Sequence, residues 1–265
     1  MTIPQIPLGQ TGLAVSRLCF GTGTTTYDAE SAQSKLPVET FGAALVRGYE
    51  LGINFWDTSD NYKTHPHIAW ALRQVGRENV VITTKTYART AEAARRGVAR
   101  AIEELETDHL DIVLLHEPDS PEELEARWEA LMALQEAKRE GLVRAVGLST
   151  HAILTLEKVA GMPEIDMILT NFNFANEHMD ANIKDYRAAM QLAAAAGQGV
   201  VAMKTLAEGK LAHRRHEAIP YNLAQPFIHS VVLGMMDVPQ VEDCVAIADA
   251  YLTNPQAHEL VKSHE

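Results

Sequence analysis

A short apolar run followed by a stretch with apolar residues at helical spacing recurs along the whole chain of 265 residues. The unit occurs eight times, at intervals of roughly 22 to 37 residues, and such alternation is typical of α/β proteins. Several runs are continuously apolar, which indicates parallel strands covered on both faces. The predicted strands are residues 17–21, 53–56, 80–85, 110–116, 143–149, 165–172, 200–203 and 230–233. The pattern therefore predicts a (β/α)8 TIM barrel.

A doubly wound open sheet is the alternative arrangement of the same elements. Such a sheet is expected to carry a glycine-rich dinucleotide turn between its first strand and the following helix. Here Gly21-Thr22-Gly23 lacks the third glycine and leads into a long polar loop over residues 22–37. We therefore expect a barrel that forms one domain over residues 1–265. A short β-hairpin is predicted before the first strand, where Gly9 and Gly12 flank polar residues.

The helices are predicted from apolar spacing and from end signals such as a glycine after the last turn. One long helix is expected to begin at Ser120-Pro121, which combines a capping serine with proline in the first turn. His65 and His67 are expected to lie in an exposed loop and to be structural. The other predicted helices are residues 37–51, 67–75, 91–105, 153–160, 185–196, 216–229 with breaks at two prolines, and 241–252.

Composition excludes several classes of partner. The formal net charge is -12, which argues against binding to nucleic acid or to an anionic membrane. No apolar run approaches the roughly 18 residues that a membrane helix needs. The two cysteines, Cys19 and Cys244, are too few for an iron–sulfur cluster, and the histidines lack metal-ligand spacing. The chain reads as a soluble cytoplasmic protein without a signal peptide or metal, and no motif indicates an oligomeric state.

Four polar residues of complementary chemistry are predicted to lie at one end of the barrel. Asp57, Lys85 and His116 come at the ends of the second, third and fourth strands, and Tyr62 lies in the loop after the second. Active sites of such barrels lie at the carboxyl ends of the strands. Each residue alone has a simpler interpretation, such as a turn cap, an exposed aromatic, a strand-end charge or a buried structural histidine. Their occurrence together favours a catalytic group.

The four side chains suit protonation of a carbonyl oxygen. A phenol has an ordinary pKa near 10, so at neutral pH it is a usable acid and a poor base. A lysine ammonium beside the phenol is expected to favour the phenolate, and an aspartate would keep that ammonium charged. The imidazole could donate a hydrogen bond to a substrate oxygen.

These residues give the chain a resemblance to the aldo-keto reductase superfamily. The matching motifs are residues 57–62, the strand that ends in Lys85, Leu114-Leu115-His116 followed by Pro118-Asp119, and Gly147-Leu148-Ser149. The resemblance covers residues 6 to 252. It implies a barrel plugged at its bottom by the hairpin and an extended NADPH or NADH at the mouth. The reaction it implies is reversible hydride transfer between the nicotinamide and a small-molecule aldehyde, ketone or alcohol.

The resemblance also implies a role for individual residues. Tyr62 would be the general acid, tuned by Lys85 and Asp57, and His116 would orient the carbonyl. Ser149 would hydrogen-bond the nicotinamide amide. The family usually has a glutamine in the sixth strand for the same amide; Leu169 stands at that position here, and Asn171 is the nearest polar residue that points the same way. Met203 stands where the family often has a stacking tyrosine. The predicted cofactor-binding residues are Gly21, Thr22, Ser149, Asn171, Met203, Lys204, Gly234, Met236, Gln240 and Asp243.

Two departures from the family pattern leave alternatives open. No Lys or Arg occurs between Arg215 and Lys262, where relatives bind the 2′-phosphate, and Asp237 would repel it. NADPH is the family default, with NADH as the alternative, and a regulatory or redox-sensing barrel with little turnover is the alternative function. Glu117, directly after His116, either disfavours acidic substrates or is a solvated charge at the rim.

Overall fold

Eight parallel strands close into a barrel in a computed structural model that describes residues 2–24 and 30–254. Around the barrel the strand order is β10-β3-β4-β5-β6-β7-β8-β9, so every strand neighbours the next strand of the chain and β10 closes on β3. This arrangement confirms the predicted TIM barrel. The strands are β1 (Gln5–Pro7), β2 (Ala14–Ser16), β3 (Leu18–Gly21), β4 (Phe55–Asp57), β5 (Val81–Thr86), β6 (Leu110–His116), β7 (Val143–Thr150), β8 (Met167–Asn171), β9 (Gly199–Met203) and β10 (Ser230–Gly234).

The predicted hairpin is present and closes one end of the barrel. β1 and β2 pair antiparallel, and the turn between them brings Leu8 and Leu13 into the apolar cluster that fills the barrel interior. Leu8 packs directly on Gly199, where an added Cβ would lie 2.7 Å from the leucine side chain. Burial of two leucines relative to water is worth roughly 1.5–3 kcal/mol each, so the hairpin is an integral part of the core.

The helices form the outer layer and bury one face each against the barrel. Their apolar residues join a second large cluster that includes the outward-facing residues of the strands. The helices are α1 (Val38–Glu50), α2 (His65–Val75), α3 (Ala91–Glu104), α4 (Pro121–Ala126), α5 (Trp128–Arg139), α6 (Ile153–Val159), α7 (Ile183–Ala195), α8 (Arg215–Leu223) and α9 (Val238–Thr253).

Two predictions about helices were wrong. The helix expected from Ser120 is divided into α4 and α5, because Arg127 adopts a non-helical conformation between them and turns its side chain into the protein. The helix expected over residues 216–229 ends at Leu223, three residues before Pro226, and Pro220 lies inside it. The predicted loop over residues 22–37 includes residues 25–29, which lie outside the described part of the chain.

The prediction that His65 and His67 lie in an exposed loop was also wrong. Both belong to the first turn of α2, where Pro66 is compatible with the helix, and both are buried. His65 Nδ1 lies 2.6 Å from Glu104 Oε2, and His67 Nε2 bonds to the Leu36 carbonyl at 3.0 Å. Their structural role therefore comes from burial between helices rather than from a loop.

Candidate active site

The alternation of side chains along each strand sends the predicted site residues into the barrel mouth. Phe55, Leu114 and Leu169 belong to the interior cluster. Side chains two residues apart on a strand point to the same face. Asp57, His116 and Asn171 follow these three residues by two positions, so they continue the interior column towards the carboxyl end of the barrel. The same parity holds for Gly21, Lys85, Ser149, Met203 and Gly234.

Lys85 is the centre of the predicted catalytic group. Its Nζ donates to Asp57 Oδ2 at 2.7 Å and to the Thr58 carbonyl at 2.7 Å. The same nitrogen lies 3.4 Å from the Tyr62 hydroxyl and 4.6 Å from the centre of the Tyr62 ring. Lys85 and Asp57 are buried. The structure therefore brings three of the four predicted residues together around one ammonium group.

Tyr62 reaches the site from the loop after β4 and is held there by main-chain contacts. Ser31 bonds to the Tyr62 carbonyl through its amide at 3.2 Å and its hydroxyl at 3.1 Å. The phenol ring lies against Gly23, where an added Cβ would fall 2.2 Å from a ring carbon. Glycine is therefore required at residue 23 for the ring to occupy this position, a role that the sequence pattern did not reveal.

Burial reverses the expected effect of Lys85 on the phenol. Burial raises the pKa of Tyr62, and although the Lys85 charge acts to lower it, the net pKa lies above its ordinary value near 10. Burial also acts to lower the pKa of Lys85, but the attraction of Asp57 and the bond to it outweigh this, and that pKa is raised. Tyr62 is therefore protonated and Lys85 charged at neutral pH, which is the state that an acid catalyst needs.

His116 is a neutral imidazole beside this group. Burial, and then the charge of Lys85, hold the pKa of His116 well below its ordinary value. Its Nδ1 lies 2.6 Å from Ser149 Oγ, and its ring meets the Tyr62 ring edge-on at 6.2 Å between centroids. The hydroxyl of Ser149, predicted to bond a nicotinamide amide, is thus also a partner of the histidine.

The other predicted cofactor residues on the strand ends lie around the same mouth. Gly234 pairs with Gly21 across β10 and β3, and Asn171 pairs with Met203 across β8 and β9. Asn171 donates its amide to the His178 carbonyl at 2.6 Å, while its Oδ1 is buried without a hydrogen-bond partner among the described residues. A buried acceptor of this kind fits a ligand that brings its own amide donor.

Thr22, predicted to lie near the cofactor, also has hydrogen-bond partners within the protein. Its hydroxyl lies 3.0 Å from the Asp57 carbonyl and 2.7 Å from Thr64 Oγ1, and the residue is buried. Because these protein partners use the hydroxyl, Thr22 ties the end of β3 to the Asp57 backbone. Its side chain therefore fixes the position of the aspartate.

After β9 and β10, the charged and polar groups of the predicted cofactor region are paired within the protein. Gln240 Oε1 accepts from the main-chain amide of Met236 at 3.0 Å, and the main-chain amide of Gln240 donates to Asp237 Oδ1 at 2.9 Å. Asp243 forms an ion pair with Arg215 at 2.5 Å. Lys204, after β9, pairs with Glu208 at 2.9 Å. The amino end of α9 is thus capped by its own aspartate.

Comparison with known proteins decides the family. The model of the Aldo/keto reductase family matches residues 17–265. The chain belongs to the aldo/keto reductase family. It is similar to L-galactose dehydrogenase of Arabidopsis thaliana, with 26% identity over 284 residues, covering 90% of this chain and 86% of the relative. It is also similar to methylglyoxal reductase DkgB of Salmonella typhi, with 29% identity over 172 residues, covering 63% and 62%.

The same relationship is found among solved structures. A candidate aldo-keto reductase from Pseudomonas aeruginosa matches with a TM-score of 0.78 and 27% identity, covering 94% of this chain and 96% of that one. This aldo/keto reductase is therefore an oxidoreductase, and enzymes of the family use nicotinamide cofactors.

Arg127 supports the site of this aldo/keto reductase through main-chain contacts. The sequence pattern did not identify it. Its guanidinium is buried and donates to the carbonyls of His116 at 2.7 Å, Ala88 at 3.1 Å and Thr86 at 3.2 Å. The Thr86 and His116 carbonyls belong to the ends of β5 and β6, the strands that carry Lys85 and His116, and Ala88 lies in the loop after β5. The available signal was an arginine between Leu124 and Leu131 on an otherwise apolar helix face.

Replacement of Arg127 by methionine should destabilise the fold by about 3 kcal/mol or more, because each buried carbonyl left without a donor costs roughly 1–3 kcal/mol. Denaturant unfolding measures the change. Arg95→Met is the matched control, since Arg95 forms an exposed ion pair worth at most about 1 kcal/mol. Equal losses in the two variants would contradict the supporting role of Arg127.

A cavity with a volume of about 370 Å³ lies at the end of the barrel opposite the catalytic group. Its charged groups are used within the protein: the Asp111 carboxylate lies 2.7 Å from Arg77 and 2.9 Å from Arg144 and also accepts from the Ile82 amide. This arrangement ties β5, β6 and β7 together.

Neither a metal-binding group nor a membrane-spanning helix is found in the described ranges 2–24 and 30–254. Within them, no group of three or more His, Cys, Asp or Glu side chains is placed to hold a metal ion. No helix in the same ranges is both long enough and apolar enough to cross a membrane.

Proposed function

We propose that the enzyme catalyses the reversible, NAD(P)H-dependent reduction of a small uncharged aldehyde or ketone to an alcohol. The observation that carries the proposal is the position of the Lys85 ammonium between the Asp57 carboxylate and the Tyr62 hydroxyl, with His116 on the next strand. Relatives named for L-galactose and for methylglyoxal support a small uncharged substrate.

In this proposal Tyr62 donates the proton. A nicotinamide in its reduced form, when bound, supplies the hydride to the carbonyl carbon. As the C=O bond becomes a C–O single bond, the oxygen takes the phenolic proton of Tyr62, so one hydride and one proton are consumed per alcohol formed. Lys85 stabilises the phenolate that remains, and Asp57 holds the ammonium in place.

His116 orients the substrate in this proposal. Because the imidazole is neutral, it carries one proton, and the Ser149 hydroxyl can donate to Nδ1 and leave that proton on Nε2. The Nε2–H group then donates to the carbonyl oxygen and holds it beside the phenol. A neutral donor polarises the carbonyl without competing with Tyr62 as the acid.

The residues at the mouth fit a nicotinamide cofactor. The unpartnered Asn171 Oδ1 and the Ser149 hydroxyl would bind the carboxamide, and Met203 would lie beside the ring. Gly21, Thr22 and Gly234, at the neighbouring ends of β3 and β10, would lie beside the cofactor. Lys204, Met236, Gln240 and Asp243 complete the proposed binding surface.

We propose that NADH serves this enzyme at least as well as NADPH. A 2′-phosphate adds charge of about −1.5 to −2 to the ligand and needs a cation or free amide donors. Here Lys204 and Arg215 are ion-paired with acids, and Asp237 occupies the amino end of α9. The dissociation constants for the two cofactors are therefore expected to lie within about tenfold of each other, or to favour NADH.

Replacement of Met236 by arginine should shift the cofactor preference towards NADPH. A hydrogen bond to a charged group is worth roughly 1.5–3 kcal/mol, so the ratio of NADH to NADPH dissociation constants should rise by about tenfold or more. Quenching of tryptophan fluorescence measures both constants. Leu154→Arg adds the same charge at an exposed helix position as a control. A ratio that moves equally in the two variants would argue against this position for the 2′-phosphate.

Steady-state oxidation of NADH and NADPH with a panel of aldehydes tests the proposed function. We expect turnover with small uncharged aldehydes and with at least one of the two cofactors. Tight cofactor binding without turnover of any aldehyde or ketone would instead favour a regulatory barrel.

A further inference from the structure

A carboxylate lies directly beside the histidine that would bind the substrate carbonyl. Glu117 follows His116 in the chain, and its Oε1 lies 3.8 Å from His116 Nε2. The side chain is 32% exposed, so part of it is accessible to solvent. The carboxylate therefore lies beside the ring nitrogen that would bind the substrate carbonyl.

The Glu117 side chain is held in this position by its surroundings. Its Oε2 accepts a hydrogen bond of 2.8 Å from the Tyr87 hydroxyl, and the Tyr87 ring lies against the His116 ring with 4.5 Å between centroids. Its amide donates to the Ser149 carbonyl at 2.9 Å. The carboxylate is thus fixed relative to the imidazole by contacts with β7 and with the loop after β5.

The backbone of Glu117 supports a functional reason for this arrangement. Its φ is 53°, in the left-handed region that a residue with a Cβ rarely adopts. Such strained residues concentrate at functional sites, where the surrounding structure maintains them. Here the conformation directs the side chain back towards the imidazole of the preceding residue.

The cations of the site do not neutralise this carboxylate by direct pairing. Lys85 pairs with Asp57, and Lys204 pairs with Glu208. Arg127 donates to main-chain carbonyls. Within residues 2–24 and 30–254, no Lys or Arg nitrogen forms an ion pair with Glu117; His116 Nε2 and His151 Nε2 each lie 3.8 Å from it. The carboxylate therefore remains beside the imidazole without a Lys or Arg partner among the described residues.

We propose that Glu117 is a specificity residue. It favours carbonyl substrates whose neighbouring carbon carries a hydroxyl, and it rejects those whose neighbouring carbon belongs to a carboxylate. The inference rests on the proposed function, because the substrate carbonyl must bind at His116 Nε2. An oxygen on the neighbouring carbon then lies within reach of Glu117 Oε1. A hydroxyl in that place donates to the carboxylate, whereas a carboxylate meets a like charge in a partly buried site.

The test compares three aldehydes of similar size with different neighbouring groups. They are glyceraldehyde with a hydroxyl, propionaldehyde with an alkyl group, and glyoxylate with a carboxylate. The value of kcat/KM for each is divided by the value for propionaldehyde with the same variant, so that general losses of activity cancel. For the wild type we expect a ratio above 1 for glyceraldehyde and below 1 for glyoxylate.

Glu117→Gln removes the charge and keeps the shape of the side chain. We expect the glyoxylate ratio to rise at least tenfold and the glyceraldehyde ratio to fall about threefold or more. Glu117→Gly removes the side chain and relieves the backbone conformation, so it supplies a second variant whose ratios should move in the same directions. Glu125→Gln, on the exposed face of α4, is the matched control and should leave both ratios unchanged.

The possible outcomes separate this inference from the proposed function. Wild-type turnover with ratios that stay within twofold in both Glu117 variants would overturn the specificity role alone. A fall in the glyoxylate ratio would overturn it as well. If the wild type reduces none of the three aldehydes, the proposed function fails and the specificity role fails with it.

Discussion

Replacement of Tyr62 by phenylalanine is expected to lower kcat for aldehyde reduction by about 10²–10⁴-fold, the contribution usual for a positioned general acid. The variant lacks only the hydroxyl that lies 3.4 Å from Lys85 Nζ. The ring contact with Gly23 is retained, so the loop should keep its position. Steady-state assays with saturating cofactor and aldehyde measure kcat for the variant and the wild type.

The interpretation of this result depends on cofactor binding and folding. Because the phenol is proposed to contact the substrate oxygen, the dissociation constant for the cofactor should change by less than about threefold, or roughly 0.7 kcal/mol. Tyr49→Phe removes a hydroxyl from α1, away from the catalytic group, and should retain turnover. Retention of most activity in Tyr62→Phe would mean that another group gives the proton.

Replacement of Lys85 by methionine should abolish useful turnover and destabilise the protein by about 3–5 kcal/mol at pH 8, because it leaves the buried Asp57 carboxylate without its partner. The double variant Lys85→Met/Asp57→Asn removes both charges. It should be more stable than the sum of the single losses, with a coupling energy of about 0.5–3 kcal/mol. Denaturant unfolding of the wild type and the three variants gives this cycle.

The stability of Lys85→Met should also depend on pH in a defined direction. Without Lys85, burial alone acts on Asp57 and raises its pKa above the unfolded value near 3.9. A raised folded pKa means that stability is lost as the pH rises through it and recovered below it. The loss relative to wild type should therefore be smaller at pH 5 than at pH 8. Equal losses at both pH values would contradict an unpaired buried carboxylate.

The barrel could be predicted because its signal is local and repeated. Apolar strands such as residues 110–116 and 143–149 are bounded by turns, and their number and order leave few topologies. The rim positions of Asp57, Lys85 and His116 followed from the same pattern, since each lies near the end of a strand. Each of the three lies an even number of residues after a member of the interior cluster, namely Phe55, Val81 and Leu114, so its side chain also points inward.

The parts that could not be predicted depend on contacts between distant segments. Arg127 interrupts a helix because it donates to three carbonyls, one each from β5, the loop after β5 and β6. All three lie outside residues 120–139, so that stretch alone could not predict the interruption. His65 is buried and bonds to Glu104 and Thr84, which belong to other elements. The pairing of Asp243 with Arg215 likewise joins two helices.

The electrostatics of the site show the same limit. Residue types alone suggest that Lys85 lowers the pKa of Tyr62. The net direction is upward, because burial of the phenol outweighs the nearby charge. Burial is a property of the folded chain, and it keeps Tyr62 protonated over the whole neutral range.

Transfer of labelled hydride tests the proposed reaction most directly. Propionaldehyde is reduced with NADH that carries deuterium at both C4 positions, and the product is analysed by mass spectrometry. We expect propanol with one deuterium on the carbinol carbon, formed by the wild type and suppressed in Tyr62→Phe. Propanol without carbon-bound deuterium, or no propanol from the wild type with labelled NADH or NADPH, would contradict hydride transfer to a carbonyl at this site.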